Sequence, residues 1–394
     1  MKIIYHHRTR GDGAEGIHIG EMVSAFKDLG HKVRLVCPSA SRRELGISLG
    51  MKGISSKEAK TKKGLFKIVV TNILELAYNA ISFTRLTWRI FRDRPDLVYE
   101  RYSCYHFGGT LACRLQRVPL VLEVNSTYAG RFQRQKLAYP RLCRWIENWV
   151  FRKSQLVCVV SEPLRACVED RHVPPERVLV TPNAVNPEHR ILSDDVGKGI
   201  RDELGIDQGA VVVGFVGSLR GWHGIAFLAD AIPIVVDRTP DCVFLIVGSG
   251  ELEADFKSSV SSKQLGQYVR FTGGVPYDSV PRYISAIDIG LMPDSNEWGS
   301  PMKILEYMLQ AKSVVAPRLD PIEEIVEDGK TGMLFERNSI SDFVSVIVQL
   351  ATDYTLREGI GAESQRYVLA ERTWVSNAKK VINAFEKLDT AQQI

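Results

Sequence analysis

Seven cysteines occur, at 37, 104, 113, 143, 158, 167 and 242, and no two form a Cys-x-x-Cys pair, so neither a zinc knuckle nor a redox dithiol is written into the chain. Their odd number and scatter suit a reducing compartment better than a disulfide framework. No run supplies the roughly 20 apolar residues of a membrane-crossing helix. The longest apolar region, Phe66 to Phe83, is interrupted by Lys67, Asn72, Glu75 and Asn79. The opening Met-Lys-Ile-Ile-Tyr-His-His-Arg lacks the apolar stretch of a secretory leader, and a cytoplasmic location is expected. No Ser-His-Asp or Cys-His arrangement for nucleophilic catalysis is legible.

What is present is an ordinary globular composition, 45% hydrophobic and 25% charged, in a chain of 394 residues. That length exceeds what one core usually supports, so two domains are expected. The net charge of +5 is unevenly spread. Residues 1–190 hold 32 Lys and Arg against 17 Asp and Glu, whereas residues 191–394 hold 19 against 29. A first half of that sign attracts anions: nucleic acid, anionic lipid or a phosphorylated substrate.

Strand-like runs at Lys2–Tyr5, Lys32–Cys37, Leu97–Glu100, Leu120–Val124 and Leu156–Val160 alternate with helical ones, the first from about Ile19 to Leu29. The pattern restarts at Val211–Val216 and continues through Val243–Val247, Val269–Thr272, Ile287–Met292 and Ser313–Ala316. Alternation of this kind, with runs too apolar for half-exposed strands, predicts α/β lobes with parallel sheets buried on both faces. Polar Ser193 to Asp202 reads as the linker. The expectation is two Rossmann-like, doubly wound lobes, 1–192 and 193–372, with an inter-lobe cleft at the strands' carboxyl ends. One segment breaks the rhythm: Val69, Val70, Ile73, Ala77, Ile81, Thr84, Trp88 and Phe91 follow helical spacing, flanked by Lys60, Lys62, Lys63, Lys67, Arg85, Arg89, Arg92 and Arg94. Two readings stay open, a helix docked on the sheet with a solvated basic edge and a helix lying on anionic membrane.

Residues 11–16 match Gly-x-Gly-x-x-Gly. The acid that a dinucleotide-binding unit carries at the end of its second strand is missing, since that strand ends Val36-Cys37-Pro38. The loop reads either as a plain turn or as an anion-facing one near Gly16. In the second half, Ser218-Leu219-Arg220-Gly221-Trp222-His223-Gly224 follows a buried strand ending at Gly217. Ser218 offers a hydroxyl to a phosphate, and Arg220 and His223 offer charge; an ordinary loop is the alternative. Gly248-Ser249-Gly250-Glu251 forms another strand-to-helix turn suited to a nucleotide. In Asn296-Glu297-Trp298-Gly299-Ser300-Pro301-Met302-Lys303-Ile304-Leu305-Glu306, Ser300 reads as an N-cap and Pro301 as the first helical residue. Lys303 and Glu306 then share a face, a cation for a diphosphate beside a carboxylate for ribose hydroxyls, or else a surface salt bridge.

These segments, together with Gly30-His31-Lys32-Val33, Pro95-Asp96-Leu97-Val98-Tyr99, Thr181-Pro182-Asn183-Ala184-Val185 and Asp328-Gly329-Lys330-Thr331-Gly332, resemble retaining glycosyltransferase family 4, of GT-B architecture, over nearly the whole chain. The resemblance implies that Glu306 matches the second Glu of a Glu-x7-Glu motif that holds the donor's ribose. Trp298 stands where the first Glu would, with Glu297 one place earlier. It further implies a donor side of Gly16, Gly217, Ser218, His223, Gly248, Gly250, Val275, Trp298, Gly299, Ser300, Pro301, Met302, Lys303 and Glu306. Asn125, Glu297 and Lys303 form the catalytic set, Asn125 replacing a family His, and Arg101, Tyr102 and Glu123 form the acceptor side. By the same resemblance the donor sits mainly on the second lobe and the acceptor on the first, and the last helix, 373–394, returns to the first lobe.

No Asp-x-Asp motif lies at the site, so neither a metal nor a cofactor beyond the nucleotide-sugar co-substrate is expected. The expected partners are that donor, a saccharide or lipid-linked acceptor and peripheral anionic membrane at its inner face, and not nucleic acid. An epimerase or hydrolase on the same scaffold, using Glu123, and a non-catalytic nucleotide-sugar-binding protein are the rival readings.

Overall fold

The computed structural model describes residues 1–9, 14–37, 62–128, 137–188 and 190–393. The chain divides into two compact units, Met1–Pro182 with Trp374–Ile394, and Asn183–Thr373.

The first unit runs β1 (Lys2–His6), α1 (Ala14–Asp28), β2 (Lys32–Val36), α2 (Lys62–Asp93), β3 (Leu97–Arg101), α3 (Gly108–Gln116), β4 (Leu120–Val124), α4 (Pro140–Lys153), β5 (Leu156–Val159), α5 (Glu162–Glu169) and β6 (Val178–Val180). Its six strands pair in parallel in the order β2-β1-β3-β4-β5-β6. β3, β4 and β5 are buried at every position, as strands covered on both faces must be. The C-terminal helix Trp374–Gln393 packs on α1, where the Trp374 ring lies 4.6 Å from the His18 ring.

The second unit continues with α6 (Asp194–Glu203), β7 (Val211–Val216), α7 (Ile225–Arg238), β8 (Cys242–Val247), α8 (Glu253–Ser262), β9 (Val269–Gly273), α9 (Val280–Ser285), β10 (Ile289–Leu291), α10 (Met302–Leu309), β11 (Ser313–Pro317), α11 (Asp320–Glu323), β12 (Met333–Phe335), α12 (Ile340–Thr352) and α13 (Tyr354–Glu371). Its parallel order is β12-β11-β10-β7-β8-β9. The period-two alternation of a strand divides the core: Val213, Phe215, Phe244 and Ile246 face a cluster with α7 and α12. Val212, Val216, Leu245 and Val247 face one with α9 and α10. Strand order reverses between β7 and β10, the point at which open α/β sheets leave a crevice at the carboxyl ends.

Four expectations are corrected here. Residues read as the linker, Ser193 to Asp202, form most of α6. Ile200 is buried and a Cβ on Gly197 would lie 2.4 Å from the Ser285 carbonyl oxygen, so α6 seats directly on α9; Arg201 adds two 2.8 Å bonds to Asp288. The first helix starts at Ala14 rather than near Ile19. β6 and β12, three residues each, escaped detection because so short a run carries no readable period. Finally, α2 does not lay its apolar stripe on the sheet. Its inward positions include Asn72, Glu75, Asn79 and Ser82, all buried, while Phe66, Ile73, Ile81, Trp88 and Phe91 are exposed. Lys60 lies outside the described residues.

The inward polar face of α2 has work of its own. Asn79 Oδ1 accepts from the amides of Phe107 and Gly108, 2.7 Å each, and so caps α3, whose own N-cap residue supplies no side chain. Asn79 Nδ2 donates to the Tyr105 carbonyl at 2.8 Å, and Asn72 Oδ1 accepts from Ala138 N at 2.9 Å.

Candidate functional site

At the β7/β10 switch point the loops after β7 and β8 are fastened together by backbone bonds: Gly217 N to Val247 O (2.9 Å), Leu219 N to Ser249 O (3.1 Å) and Leu252 N to Leu219 O (3.1 Å). The approach is close enough that a Cβ on Gly248, at φ +133°, would lie 2.0 Å from Gly217 O, and one on Gly250 would lie 2.4 Å from Leu219 O. Only glycine fits either position.

α10 faces this turn. Its N-cap is Pro301, at φ −78° and ψ 112°, and its first residue is Met302. Ser300 is therefore not the cap it resembled. Its hydroxyl accepts from Asn183 N at 3.0 Å and its carbonyl from Asn183 Nδ2 at 2.6 Å, a partner 117 residues away. Upstream, Asn296 Oδ1 accepts from the amides of Trp298 (3.1 Å) and Gly299 (2.5 Å) and sets the turn. Tyr307, on the buried face, accepts from Val216 N at 2.8 Å, which ties α10 to the end of β7.

Lys303 and Glu306 do not pair with each other. Lys303 Nζ is buried without a hydrogen-bond partner. It lies 4.6 Å from the centre of the Phe215 ring, and a Cβ on Gly217 would be 3.0 Å away from it. Burial lowers its pKa to about 7, only partly opposed by Glu306. Glu306 Oε1 accepts from Tyr277 OH at 2.8 Å, and the Arg190 guanidinium stacks 4.5 Å from the Tyr277 ring. Burial raises the Glu306 carboxyl above its ordinary value, against Tyr277, Arg190 and Lys303. His223 Nδ1 donates to the Ser218 carbonyl at 2.6 Å, the only polarity such a contact allows, which leaves Nε2 as an acceptor. Burial and then Lys303 lower its pKa to about 4. At neutral pH His223 is uncharged, contrary to the charge expected of it. Arg220 is exposed and stacks 4.9 Å from the Trp222 ring.

In the first unit, Glu123 closes β4 and is buried. It accepts from Tyr5 OH (2.9 Å), Arg101 Nη1 and Asn125 Nδ2, with His18 Nε2 at 3.4 Å. Burial alone would raise this carboxyl, but His18 and Arg101 hold it far below the usual carboxylate range. A carboxylate so fixed cannot deliver a proton at neutral pH. Because Asn125 must turn its NH2 toward it, Asn125 Oδ1 is left to accept a hydroxyl. Tyr102 is buried against Phe151, and its OH has no partner.

A second cluster there went unread in the sequence. His6 Nδ1 meets Glu100 Oε2 at 2.5 Å, and Ser82 Oγ meets His6 Nε2 at 3.3 Å and His106 Nε2 at 2.9 Å. The connectivity is that of a Ser-His-Glu triad, yet all four residues are sealed from solvent, so no substrate reaches the hydroxyl. The four come from β1, α2, β3 and the β3-α3 loop, a proximity no sequence spacing records. Among the described residues His6, Glu100 and His106 also form a group whose ligating atoms lie within 4.8 Å of one another.

A model described as Glycosyltransferase Family 4 matches residues 15–189, and one described as Glycosyl transferases group 1 matches residues 210–353. The chain is a glycosyltransferase of the family 4 type. It is 26% identical over 271 residues, 67% of this chain and 68% of the relative, to the UDP-Gal:alpha-D-GlcNAc-diphosphoundecaprenol alpha-1,3-galactosyltransferase of Escherichia coli. Over 340 residues, 81% of this chain and 77% of the relative, it is 27% identical to the D-inositol 3-phosphate glycosyltransferase of Corynebacterium urealyticum. Anabaena HepE, crystallised with UDP, superposes with a TM-score of 0.70 at 18% identity, covering 98% of this chain and all of HepE. The sucrose-phosphate synthase of Thermosynechococcus elongatus gives 0.70 at 16% identity, covering 99% of this chain and all of that one. The two-sheet fold is GT-B.

Within this glycosyltransferase, Gly217, Ser218, His223, Gly248, Gly250, Lys303 and Glu306 gather around the β7 turn and α10. Val275 is half-buried against the cluster under α10. Glu297 is exposed, 3.5 Å from Arg337, which also holds Asp294 at 2.9 Å. Gly16 lies in the first turn of α1, and residues 11–13 of its Gly-rich loop fall outside the described residues. Sequence reasoning missed Tyr277, Arg190 and Asn183; the Asn183 segment was noticed for its family likeness, not for its bond to Ser300.

Proposed function

We propose that this glycosyltransferase is a retaining, metal-independent hexosyltransferase that takes its sugar from a nucleoside diphosphate sugar held by the second unit. The observation that carries the reading is Lys303: a buried ammonium with no acceptor, beside Gly217, one helical turn from the Glu306 carboxylate. A diphosphate supplies the missing acceptor, and Glu306, already oriented by Tyr277, suits the two hydroxyls of a ribose. His223 Nε2 accepts a hydroxyl of the donor. As the bond from sugar to diphosphate breaks, charge builds on the leaving oxygen, and Lys303 stabilises it. The acceptor hydroxyl attacks from the same face and loses its proton to the departing diphosphate, so no protein nucleophile is required. On the first unit, Asn125, held in place by Glu123 and Arg101, offers its Oδ1 to a hydroxyl of the acceptor.

The acceptor in this reading is a saccharide or lipid-linked saccharide of cell-surface polysaccharide or glycolipid synthesis, met at the inner face of a membrane. The name of one relative supports it: that of the Escherichia coli enzyme specifies a diphosphoundecaprenol-linked acceptor. Incubation with a panel of labelled nucleotide sugars and a membrane extract tests the reading, with product linkage assigned by NMR. Transfer with the donor's anomeric configuration is expected. Inverted product, epimerisation or free sugar alone would overturn it.

A further inference from the structure

The stripe on α2 is turned the wrong way for a helix of a water-soluble lobe. Its buried side is polar in the middle, with Asn72, Glu75, Asn79 and Ser82, between buried Ile68 near one end and Leu86 and Ile90 near the other, where these two enter a hydrophobic cluster with β1, β3, β4 and α3. The outward side is apolar along its length: Phe66 and Phe91 are 71% exposed, Trp88 is 51% and Ile73 50%, with Ile81 and Val70 between them. From Phe66 to Phe91 the stripe extends about 37 Å at 1.5 Å per residue. Isolated exposed hydrophobics are ordinary, whereas a row of large apolar side chains along one helix face, interrupted by Ala77 and Thr84, marks an interaction surface.

Charge along its borders selects the partner. Arg85, Arg89 and Arg92 flank the outer end, and the guanidiniums of Arg89 and Arg92 lie 4.7 and 5.2 Å from the Trp88 ring. Lys67 is exposed at the other end. The helix's two acids are withheld: Glu75 is buried 3.3 Å from Arg8, and Asp93 lies 3.6 Å from Arg34. A tryptophan with arginines against its ring, on an apolar face rimmed by cations, matches the boundary between anionic headgroups and acyl chains.

We propose that α2 is a docking helix that lies in the plane of an anionic bilayer, with Phe66, Ile73, Ile81, Trp88 and Phe91 entering the acyl boundary and Arg85, Arg89 and Arg92 meeting the headgroups. The inference deepens the reading of a membrane-side acceptor and rests on it for its biological purpose. Vesicle binding needs no turnover, so a failed surface and a failed transferase reading give different results.

The test is flotation of the full chain with vesicles of phosphatidylglycerol and phosphatidylcholine, against vesicles of phosphatidylcholine alone, at about 50 and about 500 mM salt. The chain is expected to float with the anionic vesicles and to keep a measurable bound fraction at the higher salt, because insertion is not screened. Ile73→Ser/Trp88→Ser/Phe91→Ser, all at exposed positions, lowers binding about tenfold or more, with nucleoside diphosphate binding and the thermal melt unchanged. Arg89→Gln/Arg92→Gln weakens binding mainly at low salt. Absence of flotation, equal binding by the triple variant, or complete release at about 500 mM salt overturns the proposal. So does a dimer that the triple variant renders monomeric without any vesicle binding, which would assign the face to a second copy of the chain.

Discussion

Lys303 Nζ stands 4.6 Å from the centre of the Phe215 ring and, among the described residues, has no hydrogen-bond partner. Such a contact partly offsets the loss of water but does not replace an anion. An ammonium left in this state gives up its proton near neutrality, at a pKa of about 7.

A pH dependence follows. Diphosphate binding supplies a negative partner and raises the Lys303 pKa, so the complex holds a proton that the free protein loses above about pH 7. Affinity is highest below that value and falls as pH rises through it. Calorimetry at pH 8 in buffers of different ionisation enthalpy should register uptake of up to about one proton per nucleoside diphosphate bound. Zero uptake, or uptake that persists in Lys303→Met, would separate Lys303 from the diphosphate.

Glu306→Ala removes the proposed ribose acceptor. Nucleoside diphosphate affinity should fall by about 1 to 3 kcal/mol, the usual scale for bonds to a charged group, with a smaller loss for Tyr277→Phe, which only releases the carboxylate's orientation. Lys303→Ala should weaken a diphosphate more than the nucleoside alone. An unchanged Kd in Glu306→Ala would place the ribose elsewhere.

Transfer activity should survive EDTA, because a protonated Lys303 meets the charge of the leaving group. Loss of initial rate that magnesium or manganese restores is the contrary result.

The sealed Ser82 should be chemically inert. A serine-directed fluorophosphonate leaves it unlabelled, while Ser82→Ala lowers stability by about 1 to 3 kcal/mol, since both imidazoles lose a buried partner. Urea denaturation measures the loss, and labelling at Ser82 in the native protein would refute its burial.

Much of the fold was readable. The apolar runs at Val211–Val216 and Val243–Val247 and the helical spacing between them dictate two-sided strands and crossover helices, because a parallel strand buried on both faces leaves no room for polar alternation. The segments around Lys303 and Glu306 were readable for the same kind of reason: a helix fixes residues three apart on one side, whatever the rest of the chain does.

Tertiary structure decided the partners and the direction each surface faces. Helical periodicity shows that residues 66–91 have an apolar side but not where it points. That outcome turned on Asn79 capping α3 and Ser82 joining His6 to His106, bonds that reward an inward polar face. Ser300 reads as an N-cap by its neighbours and becomes a clasp for Asn183, 117 residues distant, once the fold brings that amide to it. Local sequence sets propensity and period, each worth tenths of a kcal/mol to about 1 kcal/mol per residue. Leaving a buried donor or acceptor unmatched costs about 1 to 3 kcal/mol, so where the two conflict the long-range bond prevails.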